Sequence, residues 1–309
     1  MNHLERGLDG QNQWWKYIIT FFVSLLGSVF LVVIVAVLLF LILDFLLPQD
    51  LSATIDSIRN SSAGMAGNLD FIVIVLPLAV GLIIACWMFR WLHKRNYTEV
   101  INGTKRIRWG RFFFAASLWG LINLSILLFG LVIQPDNFSL NFNLVPFLVL
   151  VLISVSLVPL QTTMEEILFR GYLAQGVASW TRSRWWVLII PSILFAGIHI
   201  ANPEVAKYGF WLIMPLYLIL GLIMGLITIL DDGIELAMGL HAINNLYVTI
   251  LVTFEGSALA TPALLVQKNF SPSLAAIVVL ALSGMFFVAV ASRRYGWNFA
   301  VLNKKVETQ

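Results

Sequence analysis

An all-α, multi-pass membrane fold is predicted by three features of this sequence. Hydrophobic residues make up 60% of the chain against 11% charged, the mean hydropathy is +0.89, and apolar runs of bilayer-crossing length recur from end to end. A soluble protein with a large core does not reach that balance. Crossing roughly 30 Å of hydrocarbon takes about 20 residues in a helix, and runs of that order begin near Tyr17, Asp70, Phe112, Leu144, Trp185, Gly209, Ile234 and Leu274. They are long and unbroken, unlike the roughly ten-residue alternating strands of a barrel. Lipid offers backbone groups no partners, so helices are expected. There are about eight of them, in one integral membrane domain, 1–309.

The first run, about Tyr17 to Leu43, is longer than the apolar region of a signal peptide and lacks a small-residue cleavage site, so it reads as a retained span. The segment Ser52–Asn68, rich in Ser, Gly and Asn, reads as a flexible external loop. The second run holds Cys86, the only cysteine; it excludes an intrachain disulfide and a thiolate zinc cluster, and it reads as a packing residue. Pro77, Pro191 and Pro215 interrupt apolar runs. The fourth run continues from Leu144–Leu160 through Gln161 to Ala178 as one long helix. At the C-terminus, Val306 to Gln309 carries no cysteine for prenylation, so the chain does not read as its own lipidated substrate.

Charge sets the orientation. Between the second and third runs stand Arg90, Lys94, Arg95, Lys105, Arg106, Arg108 and Arg111, which the positive-inside rule assigns to the cytoplasm. Asp44, Asp50, Asp56 and Asp70 face Arg59 alone in the loop after the first run, and the loop after the third has only Asp136. Arg182 and Arg184 mark an inside turn, and Arg293, Arg294, Lys304 and Lys305 put the C-terminus inside. Eight spans with both termini cytoplasmic satisfy all of these, while Asp231 and Asp232 in the turn between the sixth and seventh runs add nothing. Trp14, Trp15, Trp87, Trp91, Trp109, Trp185 and Trp186 fall near span ends, as interfacial belts do. The net charge of +3 comes from these short basic loops, so no nucleic-acid partner is read from it.

Ionisable groups inside apolar segments are expensive and read first as a functional site. Three segments carry them: Glu165 and Glu166 with Arg170, then His199, then His241 with Asn245, which takes two of only four histidines in the chain. Glu166 and Arg170 are four apart and form an intrahelical ion pair. Glu165 is turned about 100° away, with Gln161 and Phe169 rather than a cation four positions off. It must find a partner elsewhere or stay protonated. His241 and Asn245 share a helix face, where imidazole and amide can aim at one substrate oxygen, while Asn244 points elsewhere. His241 sits about seven residues, roughly 10 Å, from the inner end of its span, and His199 roughly 20 Å from the inner end of its own. The three helices are therefore expected to enclose a polar cavity opening inward. Each of these residues alone also fits an interhelical hydrogen bond, and proton relays use the same residue types.

Taken together the residues resemble the CAAX prenyl protease and bacteriocin-processing (CPBP, or ABI) family of intramembrane proteases. Its EExxxR motif matches Glu165–Arg170, its FxxxH motif Phe195–His199 and its HxxxN motif His241–Asn245, in the family's order. The family core would span about 144–253. The resemblance implies peptide-bond hydrolysis within the membrane on CAAX-type prenylated or other membrane-associated peptides. By that similarity Glu165 is the general base for water, His199 assists, His241 and Asn245 stabilise the oxyanion, and Glu166, Arg170 and Phe195 support them. Zinc stays open: Glu165, His199 and His241 supply a three-ligand set, but the HExxH spacing is missing, and a metal-independent, glutamate-activated water is the preferred reading. Membrane lipid and a peptide or lipid-modified protein are the expected partners, and a prokaryotic cell membrane the expected location. Two readings from other classes stand beside it. One is a non-catalytic scaffold or bacteriocin-immunity protein that keeps the site for structure. The other is a proton-coupled transporter, although no matching pair of Gly/Pro-broken segments divides the chain in two.

Overall fold

The computed structural model of the chain describes residues 3–46, 53, 57, 65–104 and 106–307. Most of the expected external loop Ser52–Asn68, with Asp50, Asp56, Arg59 and Lys105, lies outside the described residues, as do Thr308 and Gln309. Long apolar runs form helices as lipid demands: α1 is Trp14–Leu46, α2 Met65–Leu92, α4 Trp109–Ile133, α5 Leu144–Thr181, α8 Phe210–Asp231 and α10 Leu274–Tyr295. Among the described residues these six are long and apolar enough to cross a membrane, and the chain is an integral, multi-pass membrane protein of all-α class. The two other expected spans correspond to shorter helices, α6 (Arg184–Ile198) and α9 (Glu235–Leu246, continued by a π turn over Tyr247–Leu251). Short helices α3 (Tyr97–Ile101) and α7 (Pro203–Tyr208) lie in connections.

The sequence reading contained no strands, yet three short ones form a cap: β1 (Phe138–Leu140), β2 (Val252–Phe254) and β3 (Leu265–Gln267), in the order β1-β3-β2. β1 runs antiparallel and β2 parallel to β3. Three-residue strands carry too little alternation to be read from sequence. The long α5 is continuous as expected, with a π turn over Ile167–Leu173 immediately after the glutamate pair.

Both termini meet at the end of the bundle opposite this cap. Glu5 pairs with Arg184, whose guanidinium also donates to the carbonyls of Lys304 and Lys305, at 2.8 Å each, and the Val306 amide donates to Arg182 at 2.9 Å. Arg95 donates to Asn12 at 2.7 Å. The basic residues that the positive-inside rule assigns to the cytoplasm are thus gathered with the two termini. Asp231, uninformative about orientation, has a structural partner set there: Arg111 at 2.6 Å and Arg108 at 3.2 Å, while Arg108 also pairs with Glu235 at 2.6 Å. These bonds clamp the α8–α9 turn, where Asp232 and Gly233 take positive φ. All seven tryptophans placed in interfacial belts are exposed, and Cys86 is free and half-buried.

Helix packing uses close backbone approach, as is usual where lipid removes the hydrophobic drive between helices. At Gly239 on α9, an added Cβ would lie 2.1 Å from the Phe112 carbonyl oxygen on α4. Gly239→Ala is therefore expected to cost about 2 kcal/mol or more by overpacking, read as a lowered thermal midpoint in detergent. Gly110→Ala, where a Cβ meets nothing within 4 Å, serves as the neutral control.

At the end of α2, burial, with the charges of Arg95 and Lys16, pushes His93 down from 6.5 to about 4. A depressed histidine is neutral in the fold, so its contribution is intact above the unfolded value and is lost as pH falls from about 6.5 toward about 4. The thermal midpoint is expected to drop through that window, and the drop to shrink in His93→Gln.

Candidate active site

The site is assembled from α5, α6, α8 and α9 around an apolar centre that includes Met164, Phe169, Phe195 and Met224. Arg170 is 1% exposed, and its Nη1 donates to Glu166 Oε1 at 2.9 Å, the intrahelical pair expected from spacing. Its Nη2 reaches the Gly221 carbonyl of α8 at 3.3 Å. Glu166 does more than the expected pairing, because the same Oε1 lies 2.7 Å from His241 Nδ1. The carboxylate can only accept when ionised, so it takes the Nδ1 proton. That leaves His241 Nε2 facing Glu165, 3.9 Å from Oε2.

Phe195 shows why an aromatic stands one turn before the second histidine. Its carbonyl oxygen accepts from His199 Nδ1 at 2.7 Å, which leaves Nε2 as the nitrogen free to act in the cavity. Its ring is covered by the Arg170 guanidinium, 4.1 Å from the ring centroid, and stands edge-on to His241 at 5.8 Å. One side chain thus packs against Arg170, His199 and His241 together.

Glu165 does find a local partner: Gln161, one turn earlier, donates its amide to Oε1. Asn245 Nδ2 donates to Gln161 Oε1 at 3.3 Å, Asn244 donates to Asn245 Oδ1 at 3.4 Å, and Trp119 on α4 donates to Asn244 at 3.1 Å. This row of amides ties the carboxylate to two neighbouring helices. The expectation that Asn244 points elsewhere is corrected, since it lines the same cavity as Asn245. The π continuation of α9 begins just beyond this pair.

Glu165, Phe195, His199, His241 and Asn245 all line one cavity of about 280 Å³, while Glu166 and Arg170 sit behind it. Sequence reading missed Gln161, Asn202, Glu204 and Tyr217, which also line it. The Tyr217 ring stacks on His199 at 4.2 Å. The further walls of the cavity are Phe254, Ser257, Ala258 and Leu259, from the cap end of the molecule. Those residues follow α9 in sequence and fold back over the helices, which a depth count along each helix does not register. A larger groove of about 750 Å³ between α8 and α10 is almost wholly apolar and touches none of the motif residues.

Among the described residues no three His, Cys, Asp or Glu side chains converge as a metal site. His241 is held by Glu166 on one nitrogen and lies 3.9 Å from Glu165 on the other, somewhat longer than the about 3.3 Å that separates two donors on one tetrahedral zinc ion. No step of the chemistry is routed through a metal.

Comparison with known proteins agrees with the motifs. The chain is 27% identical over 289 residues to the uncharacterized protein YyaK of Bacillus subtilis (strain 168), covering 93% of this chain and 94% of that one. No solved structure matches the chain. A family model described as type II CAAX prenyl endopeptidase Rce1-like matches residues 142–247, about a third of the chain and a segment that contains all three motifs.

Proposed function

We propose that this protein is an intramembrane endopeptidase that hydrolyses a peptide bond with water activated by Glu165, acting on CAAX-type or other membrane-associated peptides. The observation that carries the reading is the convergence of Glu165, His199, His241 and Asn245, from three helices, on one cavity. The whole chain is read as a single integral membrane domain with its core at about 144–253, and the Bacillus relative favours a prokaryotic cell membrane.

In this mechanism Glu165 Oε2, which has no hydrogen-bond partner of its own, takes a proton from water as the water oxygen attacks the peptide carbonyl carbon. The developing oxyanion is met by the Asn245 amide and by His241 Nε2 in its protonated form. Such donors are each worth a few kcal/mol when fixed in advance. The oxyanion collapses, the C–N bond breaks, and the leaving nitrogen takes the proton from Glu165, with His199 Nε2 passing it across. Gln161 fixes the carboxylate rotamer, and Arg170 with Glu166 fixes His241. Lipid and a peptide or lipid-modified protein are the partners this chemistry needs.

Cleavage of a farnesylated CAAX peptide and its unprenylated control by the nanodisc-reconstituted protein tests the reading. Glu165→Gln and His199→Ala are each expected to lower kcat by at least about 10²-fold, the usual range for a general base, with folding retained. A chelator is expected to leave the rate unchanged, and loss of activity restored by zinc would reverse that point. Cleavage that persists in Glu165→Gln would remove the mechanism.

Arg170→Met strands Glu166 in an apolar site. It is expected to cost about 3 kcal/mol or more, as breaking a buried pair does, and to lower the thermal midpoint well beyond Glu165→Gln.

A further inference from the structure

Buried glutamates divide this molecule into two classes. Among the described residues, Glu5, Glu165, Glu166, Glu204 and Glu235 are buried. Three of them answer an arginine: Glu5 with Arg184, Glu166 with Arg170, Glu235 with Arg108. The two that pair with no lysine or arginine, Glu165 and Glu204, both line the cavity. Glu165 belongs to the proposed chemistry. Glu204 does not, and lies outside all three motifs.

Glu204 is 7% exposed. Its Oε1 accepts from the Tyr217 hydroxyl and, at 3.4 Å, from Asn202 Nδ2, which also donates to the Tyr217 oxygen at 2.8 Å. Its Oε2 is buried with no partner. Ionised, that oxygen is an unmet acceptor; protonated, an unmet donor; either is costly in an apolar setting. No lysine or arginine lines the cavity, and the nearest in sequence, Lys207, is committed to Glu255 at 2.8 Å. The walls beside Glu204 are the rings of Tyr217, His199 and Phe254, surfaces that accept the aliphatic stem and charged head of a long basic side chain.

We propose that Glu204, held by Tyr217 and Asn202, forms a subsite for a cationic side chain, lysine or arginine, close to the scissile bond of the substrate peptide. The proposal rests on the peptidase reading and narrows its substrate class. A peptide that brings a free carboxylate between Glu165 and Glu204 meets two like charges, whereas a basic residue satisfies the oxygen the fold leaves open. Glu204 stands on α7, in the connection between α6 and α8.

The test is a set of fluorescent membrane-anchored peptides that differ at one position near the cleaved bond, carrying lysine, arginine, norleucine or glutamate, with each flanking position varied in turn. In the reconstituted wild-type protein, at one position, lysine or arginine is expected to raise kcat/KM over norleucine about tenfold or more, mainly through KM, and glutamate to fall below norleucine. Glu204→Gln, which keeps an acceptor for Tyr217, is expected to bring the lysine-to-norleucine ratio to about one, and Glu204→Asp to retain part of it. Equal cleavage of lysine and norleucine peptides at every position would overturn the subsite while leaving the peptidase standing. Should no peptide be cleaved, anisotropy binding of the same peptides separates the two claims. Tighter lysine than norleucine binding in wild type, absent in Glu204→Gln, supports the subsite without the peptidase, and equal binding overturns it. If Glu204→Gln does not fold, as read by its thermal midpoint, the wild-type lysine and norleucine pair, with Glu204→Asp, decides.

Discussion

A guanidinium enclosed by apolar helices has to be answered by a carboxylate, and the answer Glu166 gives Arg170 is the contact on which the site depends. At 1% exposure Arg170 has no solvent to fall back on, so its position is dictated by what it meets: Glu166 on its own helix, the Gly221 carbonyl on α8, and the Phe195 ring on α6. Glu166 then passes the constraint on by holding His241. Four helices are registered against one another through one buried charge. A buried pair of this kind adds little net stability compared with a well-packed apolar pair. What it supplies here is definition, because Arg170 and Glu166 together fix the positions of α6, α8 and α9 against α5.

The same logic separates scaffold from chemistry. Wherever a carboxylate serves the fold, at Glu5, Glu235 or Asp231, arginine is within ion-pair distance. The clamp of Arg108 and Arg111 on the α8–α9 turn positions α9, and with it His241 and Asn245, from the end of the bundle that holds both termini. Glu165 is treated differently. It receives an uncharged amide from Gln161, which orients it without neutralising it, as the proposed role of base requires.

Much of this was legible in the sequence. Glu165, Glu166, Arg170, His199, His241 and Asn245 could be found because polar residues in apolar runs stand out and the spacing of four in Glu166–Arg170 and His241–Asn245 falls on single helix faces, while Phe195 was found through the FxxxH motif. The Glu166 and Arg170 pair follows from spacing alone. The link from Glu166 to His241 does not, because nothing local relates residues 75 positions apart. Asn202, Glu204 and Tyr217 were missed for a related reason: each is unremarkable in its own segment and gains meaning only when α7 and α8 fold beside α6, while Gln161, one turn before Glu165, gains its place from the amide of Asn245 on α9. Counting hydropathic runs gave about eight spans. α6 and α9 are shorter than the other six helices, since a run records apolar composition and not where a helix is broken by a histidine cap or a π turn.

The lining of the cavity follows from these breaks. His199 caps α6 at its C-terminal end, fifteen residues or roughly 22 Å from Arg184 at the helical rise, so its imidazole is presented beyond the last turn rather than from the helix wall. α9 loosens into a π turn after Asn245 and gives way to β2, which lets Phe254 and Ser257 to Leu259 fold over the histidines. On the opposite side Arg170, Phe195 and the buried aromatic and aliphatic core fill the space below the glutamates. With the packed ion pair on one side and the loop walls on the other, Glu165 lines the cavity while Glu166 is held by Arg170 and His241. In the proposed reaction that asymmetry is what assigns the chemistry to one carboxylate of the adjacent pair and the structural role to the other.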